Sequence, residues 1–363
     1  MHALYRKVFA ALICMLPPLA HAQSMPLLFP EKDWFSANPA DLGWSAQKLS
    51  EIGQYLQSVP QGSALIIDRG RLVAAWGDVA KRVKLSSVRK SLVTALYGTY
   101  VAEGRIDLSK TIEQLGINDV PPLTPAERQA TLRDVLKARS GIYRPFVAGT
   151  PAMRADMPAR GSHPPGTFWY YNNWDFNVAG AILEQQVKVG LGDAFRDRIA
   201  TPLQMQDFRS EDVYYVNAAP GTPTNETSIH PAYQFRMSAR DLARVGYLFL
   251  RGGNWAGTNV LSEEWVREST TSYSTARNGG YGYYWWVNSF PGVTEPHYNA
   301  QGALGKYLVV FPAKDLVVVY VNYADYPDDS TLVPEAELRK LRGMPTAMMG
   351  KLLQLVLEAK RPQ

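Results

Sequence analysis

Two pairs of β-prone runs stand near opposite ends of the chain, and they constrain its fold more than any other feature. The first pair is Ser63 to Asp68 and Arg71 to Trp76, joined by a tight turn at Arg69-Gly70. The second is Lys306 to Phe311 and Leu316 to Asn322, joined by Pro312-Ala313-Lys314-Asp315. Between them, from Asp107 to about Gly253, the pattern is mostly helical with long polar loops. The simplest architecture is one antiparallel sheet made from both ends of the chain. This predicts an α+β fold, with an antiparallel β-sheet flanked by N- and C-terminal helices and an inserted, mostly helical domain. The expected division is a signal peptide over 1–22, an extended lead-in over 23–44, a sheet domain over 45–106 and 254–363, and the insert over 107–253.

Capping and breaker residues set the expected helices. They are Ala46 to Leu56, a cap-and-box start at Thr124-Pro125-Ala126-Glu127, Thr131 to Arg139 before Gly141, and Trp174 to Val189 before Gly190. A strong helix opens at Ser238 and runs to Arg251, a shorter one spans Ser262 to Glu268, and a last one spans about Pro334 to Leu357. Tyr281 to Val287 is aromatic and reads as a strand.

The first candidate site is Ser87-Val88-Arg89-Lys90. It follows a strand-like segment and opens a helix whose apolar residues Val88, Leu92, Ala95 and Ala102 fall near one face, with Gly104 as a stop. Positions three apart are neighbours on a helix, so the lysine amine reaches the serine hydroxyl. A serine hydroxyl needs such a base to act as a nucleophile, and burial lowers a lysine's proton affinity. Free N–H groups at a helix N-terminus suit a developing oxyanion. The spacing itself is common. Ser45-Ala46-Gln47-Lys48 has it too, and there Ser45 reads as the N-cap of the Ala46 helix. Capping with a snorkelling lysine is the competing role at Ser87.

The second candidate is Pro165-Gly166-Thr167-Phe168-Trp169-Tyr170-Tyr171-Asn172-Asn173, a turn leading to a Tyr-x-Asn triplet before a helix. A tyrosine beside a lysine can exchange its proton, and an asparagine can orient the lysine or hold a substrate amide. The same triplet occurs at Tyr170-Tyr171-Asn172, Tyr215-Val216-Asn217 and Tyr320-Val321-Asn322, where packing is the ordinary role. The third is His297-Tyr298-Asn299-Ala300-Gln301-Gly302-Ala303-Leu304-Gly305, small residues leading into a late strand. A glycine-rich strand end leaves backbone exposed to a substrate, and one N–H there suits an oxyanion. An ordinary bend has the same composition.

Arg6 and Lys7, an apolar run from Val8 and Ala20-His21-Ala22 read as a secretory signal cleaved after Ala22. Ile13 before Cys14 is too large for a usual lipoprotein site. Cys14 is the only cysteine, so the mature chain has no disulfide, thiolate metal site or cysteine nucleophile. Losing Arg6 and Lys7 takes the formal charge from +5 to +3. No basic block of the kind used for nucleic acid stands out. No further apolar segment is long enough to span a bilayer. The expected location is secreted or periplasmic. His163, His230 and His297 have no metal-ligand spacing, and no phosphate-cradling loop, dinucleotide fingerprint or Gly-x-Ser-x-Gly elbow occurs.

Taken together and in this order, the three segments resemble the serine β-lactamase and penicillin-binding protein superfamily. The likeness is to its class C β-lactamase-related branch of esterases, D-aminopeptidases and 6-aminohexanoate-dimer hydrolases, and it covers roughly residues 40–325. The family's Ser-x-x-Lys matches Ser87 and Lys90. Its Pro-Gly…Tyr-x-Asn matches Pro165, Gly166, Tyr171 and Asn173, which selects one triplet among several. Leu136 to Ile142, Ser238 to Ala243 and Gly282 to Trp286 look like further landmarks. The third motif, usually Lys-Thr-Gly or His-x-Gly, is Ala300-Gln301-Gly302 here, which lacks the cation and hydroxyl. Gly302 to Gly305 resembles the Gly-x-x-Gly pattern of nylon-oligomer hydrolases.

The resemblance implies Ser87, Lys90 and Tyr171 as catalytic residues. It implies Asn173, Gln301, Gly302 and Ala303 as substrate or oxyanion residues, and no cofactor or metal. The implied partner is a small ester or amide. The alternatives are a β-lactamase or cell-wall peptidase on the same residues, and a non-catalytic binder of the same fold. His297, Arg277 or Lys306 are the candidates to replace the missing cation. Trp169, Tyr170, Trp174, Tyr283, Trp285 and Trp286 are candidates for an apolar acyl pocket.

Overall fold

The computed structural model describes residues 27–276, 279–328, 333–338 and 340–360. The signal segment and Arg277 lie outside these residues. The strands in chain order are β1 (Phe35–Ser36), β2 (Gly62–Asp68), β3 (Arg71–Trp76), β4 (Val83–Lys84), β5 (Val213–Val216), β6 (Ala232–Met237), β7 (Asn254–Trp255), β8 (Thr258–Asn259), β9 (Ser274–Ala276), β10 (Gly279–Tyr281), β11 (Trp286–Val287), β12 (Tyr298–Gly302), β13 (Lys306–Phe311) and β14 (Leu316–Asn322). The helices are α1 (Ala46–Ser58), α2 (Val88–Ala102), α3 (Leu132–Leu136), α4 (Pro151–Ala155), α5 (Asn173–Val187), α6 (Leu191–Phe195), α7 (Ala239–Leu250), α8 (Glu263–Thr270), α9 (Glu335–Leu338) and α10 (Thr346–Ala359).

Among the described residues the main sheet has nine strands in the order β1-β3-β2-β14-β13-β12-β11-β10-β9. Every pairing is antiparallel except β1 with β3. The fold is therefore α+β, with β2 from the start of the chain paired along its whole length to β14 near the end. Side chains alternate across a strand. Ala64 and Ile66 with Val318 and Phe311 face α1 and α10, whereas Leu65 and Ile67 with Leu308 and Val317 face α2 and α7. Both faces are covered, so the middles of the central strands are apolar on both sides. On the second face Gly246 lets α7 lie directly on the sheet, since a Cβ there would come within 2.5 Å of Leu308 and 2.7 Å of Val317. The two ends of the chain meet at buried Asp68, whose carboxylate accepts from Trp44 Nε1 at 2.7 Å and from Lys360 Nζ at 2.8 Å.

Several local expectations differ in detail. The Arg69-Gly70 turn has positive φ at both residues, 51° and 78°, which fits a two-residue hairpin. α3 stops at Leu136, short of Arg139, because Ala138 turns left-handed at φ 53°. The Thr124 box is present, with Glu127 and Thr124 bonded reciprocally, but it closes only a single 3₁₀ turn, Glu127–Gln129. Tyr281 to Val287 is two short strands, not one. Tyr281 pairs with Trp286 across a turn in which Tyr284 has φ 60°. The C-terminal helix is two helices, α9 and α10, parted by the segment that carries Gly343 and Pro345. A three-stranded sheet, β4-β6-β5, was not anticipated.

His297 lies on the α10 side of the sheet, stacked on Phe290 and against Phe311. Burial pushes its imidazole below the ordinary value. The folded state thus holds fewer protons than the unfolded chain as pH falls through about 6.5, so this group withdraws stability on the acid side. Its Nε2 is buried without a partner. We expect His297→Phe to lose less thermal stability than the wild type between pH 7 and pH 5.5, read by calorimetry. An equal loss in both would show that His297 does not carry the dependence.

Candidate active site

α2 starts where the chain leaves β4. Leu85 N–H donates to Phe235 O at 2.9 Å, and Ser86 then adopts φ 50°, which turns the chain into the helix. The first turn is tight: Val88 N–H donates to Leu85 O at 3.2 Å and Arg89 N–H to Ser86 O at 3.3 Å. Ser87 has helical backbone angles and its side chain caps no amide. Its hydroxyl instead accepts from Lys90 Nζ at 3.0 Å. Lys90 also donates to the Tyr171 hydroxyl at 2.8 Å, and its Nζ lies 4.3 Å and 4.2 Å from the Tyr171 and Phe176 ring centroids. Lys90 is buried while Ser87 and Tyr171 are partly open. The other Ser-x-x-Lys pair differs in every respect. Ser45 Oγ accepts from Lys48 N–H at 3.3 Å as an N-cap, and Lys48 Nζ pairs with Glu51 at 3.0 Å on the surface.

Tyr171 is held by the loop and cap ahead of α5. Asn172 is the N-cap, accepting from Trp174 N–H at 3.1 Å, and its Nδ2 donates to Ile142 O at 2.8 Å and to Asp175 Oδ1 at 3.0 Å. Ser140 Oγ donates to the same carboxylate at 2.5 Å. Burial pushes the Asp175 carboxyl well above its usual range. This cluster explains why Ser140, Gly141 and Ile142 stood out in the sequence: they clamp the tyrosine loop. Asp175 itself carried no signal beyond a helix N-terminal acid.

Asn173 Nδ2 donates to Ala148 O at 2.8 Å, and its Oδ1 is buried without a partner. Ser87, Tyr171, Gln301, Gly302 and Ala303 share the wall of one cavity of about 410 Å³, together with Met153, Trp286, Leu304, Tyr307 and the turn from Gly343 to Thr346. The structure thus brings the three motifs together, with Asn173 on an adjoining smaller cavity that also touches Ser87, Lys90 and Ala303. Among the described residues the Ser87 and Ala303 N–H groups find no backbone carbonyl, as an oxyanion pair requires. Met344 to Thr346 was missed, because a turn far along the chain leaves no pattern that ties it to a site.

The third motif behaves as its composition suggests. Ala300 is fully buried in the core on the face that packs against α2 and α7. Gln301 Nε2 is committed to Ser289 Oγ at 2.8 Å and Asn299 Oδ1 at 2.9 Å. Two proposed replacements for the cation do not line the cavity. His297 lies before the start of β12, away from Gly302, packed against Phe290 and Phe311. Lys306 is buried, donates to Ala324 O, and is pushed down to about 8 by burial. Of the aromatic candidates, Trp286 lines the cavity and stacks on Tyr171 at 5.7 Å. Trp169 supports it from behind at 6.2 Å. Tyr170, Trp174, Tyr283 and Trp285 are core.

A family model described as Beta-lactamase matches residues 50–340. The chain belongs to the beta-lactamase family. Its fold is shared with a Bacteroides dorei protein provisionally assigned as a beta-lactamase, at TM-score 0.63 and 15% identity over 87% of this chain and 99% of that one. A Bacillus anthracis protein, provisionally a 6-aminohexanoate-dimer hydrolase, superposes at 0.58 with 17% identity over 92% and 90%. A class C beta-lactamase does so at 0.57 with 16% identity over 85% and 99%. The fold is that of a beta-lactamase-family serine hydrolase.

In this beta-lactamase-family chain Gly302 is where β12 meets the helix start. A Cβ there would come 2.3 Å from Leu85 O and 3.3 Å from Ser87 N. Leu85 O holds the first turn of α2, so it has no free direction to yield. We expect Gly302→Ala to cost roughly 1–3 kcal/mol of stability through overpacking. The rate of fluorophosphonate labelling should fall at least tenfold as the Ser87 loop shifts. Unaltered labelling kinetics would show that this approach does not position Ser87.

Proposed function

We propose that this chain is an exported serine hydrolase that cleaves small carboxylic esters or short amides through an acyl-enzyme on Ser87. The observation that carries the reading is one buried amine bonded to two hydroxyls, Lys90 Nζ to Ser87 Oγ and to Tyr171, on the wall of a cavity. In this reading Ser87 Oγ attacks the substrate carbonyl carbon, and its proton passes to the Lys90–Tyr171 pair. The pair returns that proton to the leaving oxygen or nitrogen as the carbonyl–heteroatom bond breaks. Water then attacks the acyl carbon and gives a proton to the same pair, the acyl–Oγ bond breaks to release the acid, and Ser87 Oγ takes that proton back. The N–H groups of Ser87 and Ala303 stabilise both oxyanions. The wall formed by Met153, Trp286, Leu304, Tyr307 and Met344 suits an apolar arm of the substrate. Esters and simple amides are favoured over β-lactams because Ala300 and Gln301 present no cation for a β-lactam carboxylate.

Intact mass after incubation with a fluorophosphonate tests the chemistry, and one adduct is expected. Initial rates on short-chain aryl esters and on a chromogenic cephalosporin test the substrate class, with the esters faster. No adduct on a folded protein would replace the hydrolase by a binder, and a faster cephalosporin would replace the esterase by a β-lactamase.

A further inference from the structure

β14 runs Leu-Val-Val-Val-Tyr-Val and then ends on an asparagine. Asn322 is 1% exposed, and an amide buried to that depth is costly unless its polar atoms are bonded. Its backbone N–H donates to Gly305 O at 3.0 Å, Nδ2 donates to Arg342 O at 3.1 Å, and Oδ1 accepts from Ala324 N–H at 2.7 Å. One residue thus ties together the turn between β12 and β13, the segment that follows β14, and the turn ahead of α10. The first of these carries Ala303, whereas Asn322 itself is not on the wall of the large cavity at Ser87.

The turn that carries Ala303 does not hold its own shape. Gly305 N–H closes it on Gly302 O at 3.2 Å, but Leu304 has φ 62°, a left-handed angle that a side chain disfavours and that persists only where the surroundings impose it. Here the surroundings are the turn ahead of α10. Met344 N–H donates to Leu304 O at 3.2 Å, and two glycines permit the approach. A Cβ on Gly305 would come 2.7 Å from Met344 Cβ, and a Cβ on Gly343 would come 2.7 Å from Leu304 Cα. The Arg342–Met344 turn is itself gripped at both ends, by Asn322 Nδ2 on Arg342 O and by the Tyr307 hydroxyl on Met344 O at 2.8 Å. Ala303 therefore lies between two fixed neighbours, Gly302 against the Leu85 and Ser87 backbone and Leu304 against this clamp. We propose that Asn322 is a positioning residue for the oxyanion site. Through Arg342 and Met344 it fixes Leu304, and so aims the Ala303 N–H at the substrate oxygen that becomes charged. A donor displaced by about 1 Å from that oxygen loses much of its effect on rate. The proposal rests on the serine-hydrolase reading above.

The test compares two competitive inhibitors of 4-nitrophenyl butyrate hydrolysis. n-Butylboronic acid bonds its boron to Ser87 Oγ, whose proton passes to the Lys90–Tyr171 pair, and one oxygen of the tetrahedral adduct stands where the oxyanion forms. 4-Nitrophenyl butyl ether fills the cavity without a carbonyl. In Asn322→Ala we expect the boronate Ki to rise at least tenfold and kcat/KM to fall at least tenfold, while the ether Ki stays within threefold of wild type. Trp44→Phe is the control for lost stability. It removes the indole bond to Asp68 at the opposite end of β14, and should change neither inhibition constant by more than threefold although its melting temperature falls. If Asn322→Ala does not fold, Gly343→Ala decides, because its new Cβ presses directly on Leu304, and the same split is expected. Boronate and ether constants that shift in parallel overturn the proposal. So does a boronate constant within threefold of wild type in the folded variant, or a Trp44→Phe shift as large as that of Asn322→Ala. A wild type that takes neither the boronate nor a fluorophosphonate overturns the hydrolase reading itself. Ser87-dependent turnover with boronate binding indifferent to Asn322→Ala overturns only this proposal.

Discussion

Ser87→Ala is expected to lower kcat on the best ester by a factor on the order of 10⁴ or more, the scale seen when a serine nucleophile is removed. It is also expected to remove the fluorophosphonate adduct. The fold should survive. Ser87 Oγ caps no amide, its Lys90 partner keeps its bond to Tyr171, and the first turn of α2 is held by backbone bonds from Leu85 O and Ser86 O. The melting temperature should therefore move by no more than about 2 °C, less than the shift that 1 kcal/mol gives in a small domain. Peptide mapping of any residual adduct is informative because Ser86 is next in the chain. Its hydroxyl is buried without a partner. An adduct formed by the variant at the wild-type rate would place the nucleophile elsewhere.

Lys90→Met is expected to lower kcat by about 10²–10⁴, the contribution of a positioned acid–base group, while stability holds or rises. Methionine keeps most of the stem that packs between Tyr171 and Phe176. What is lost is one buried amine bonded to the Ser87 and Tyr171 hydroxyls, and those hydroxyls can turn toward each other or the cavity. Methionine places no polar group in the core, which avoids the cost of burying an amine. A variant within threefold of wild-type activity would deny Lys90 its role. A variant that is inactive and unfolded would show that the amine is structural.

The candidate Ser87–Lys90 pair was legible because it is local. Ser87 and Lys90 are one helical turn apart, and helix geometry brings their side chains together at 3.0 Å without help from the rest of the fold. The two hairpins were legible for a similar reason. Arg69-Gly70 and Pro312 to Asp315 announce turns, and the β-branched runs on either side leave little choice of state. Tyr171 was recoverable only by its order relative to the other motifs, because several Tyr-x-Asn triplets exist and nothing in the triplet itself says which one faces a lysine.

Other features were hidden by physics that acts at a distance. β4 and β5 are too short to show alternation, and β6 pairs with both of them across long loops. The positive φ in the fold-back between β10 and β11 falls on Tyr284 and not on the neighbouring Gly282. The Tyr284 hydroxyl is anchored to Val135 O at 2.9 Å, a tertiary contact that overrides local preference. The break between α9 and α10 was written in Pro345, which a continuous helix does not tolerate. Its purpose becomes visible only in space, where Met344 N–H bonds Leu304 O at 3.2 Å and the turn closes the end of the cavity.

The pairing of β2 with β14 has a consequence for when the chain can become reactive. During synthesis the proposed nucleophile emerges with residue 87, whereas the strand end that completes its surroundings arrives with Gly302 and Ala303, and the strand that zips the sheet to β2 ends at Asn322. A sheet closed across so long a separation forms late. Every chain shorter than this therefore carries Ser87 without Ala303 or its cavity wall. On the proposed reading acyl chemistry waits for β12 and the residues that follow it, and a fragment cut anywhere before β12 is chemically silent.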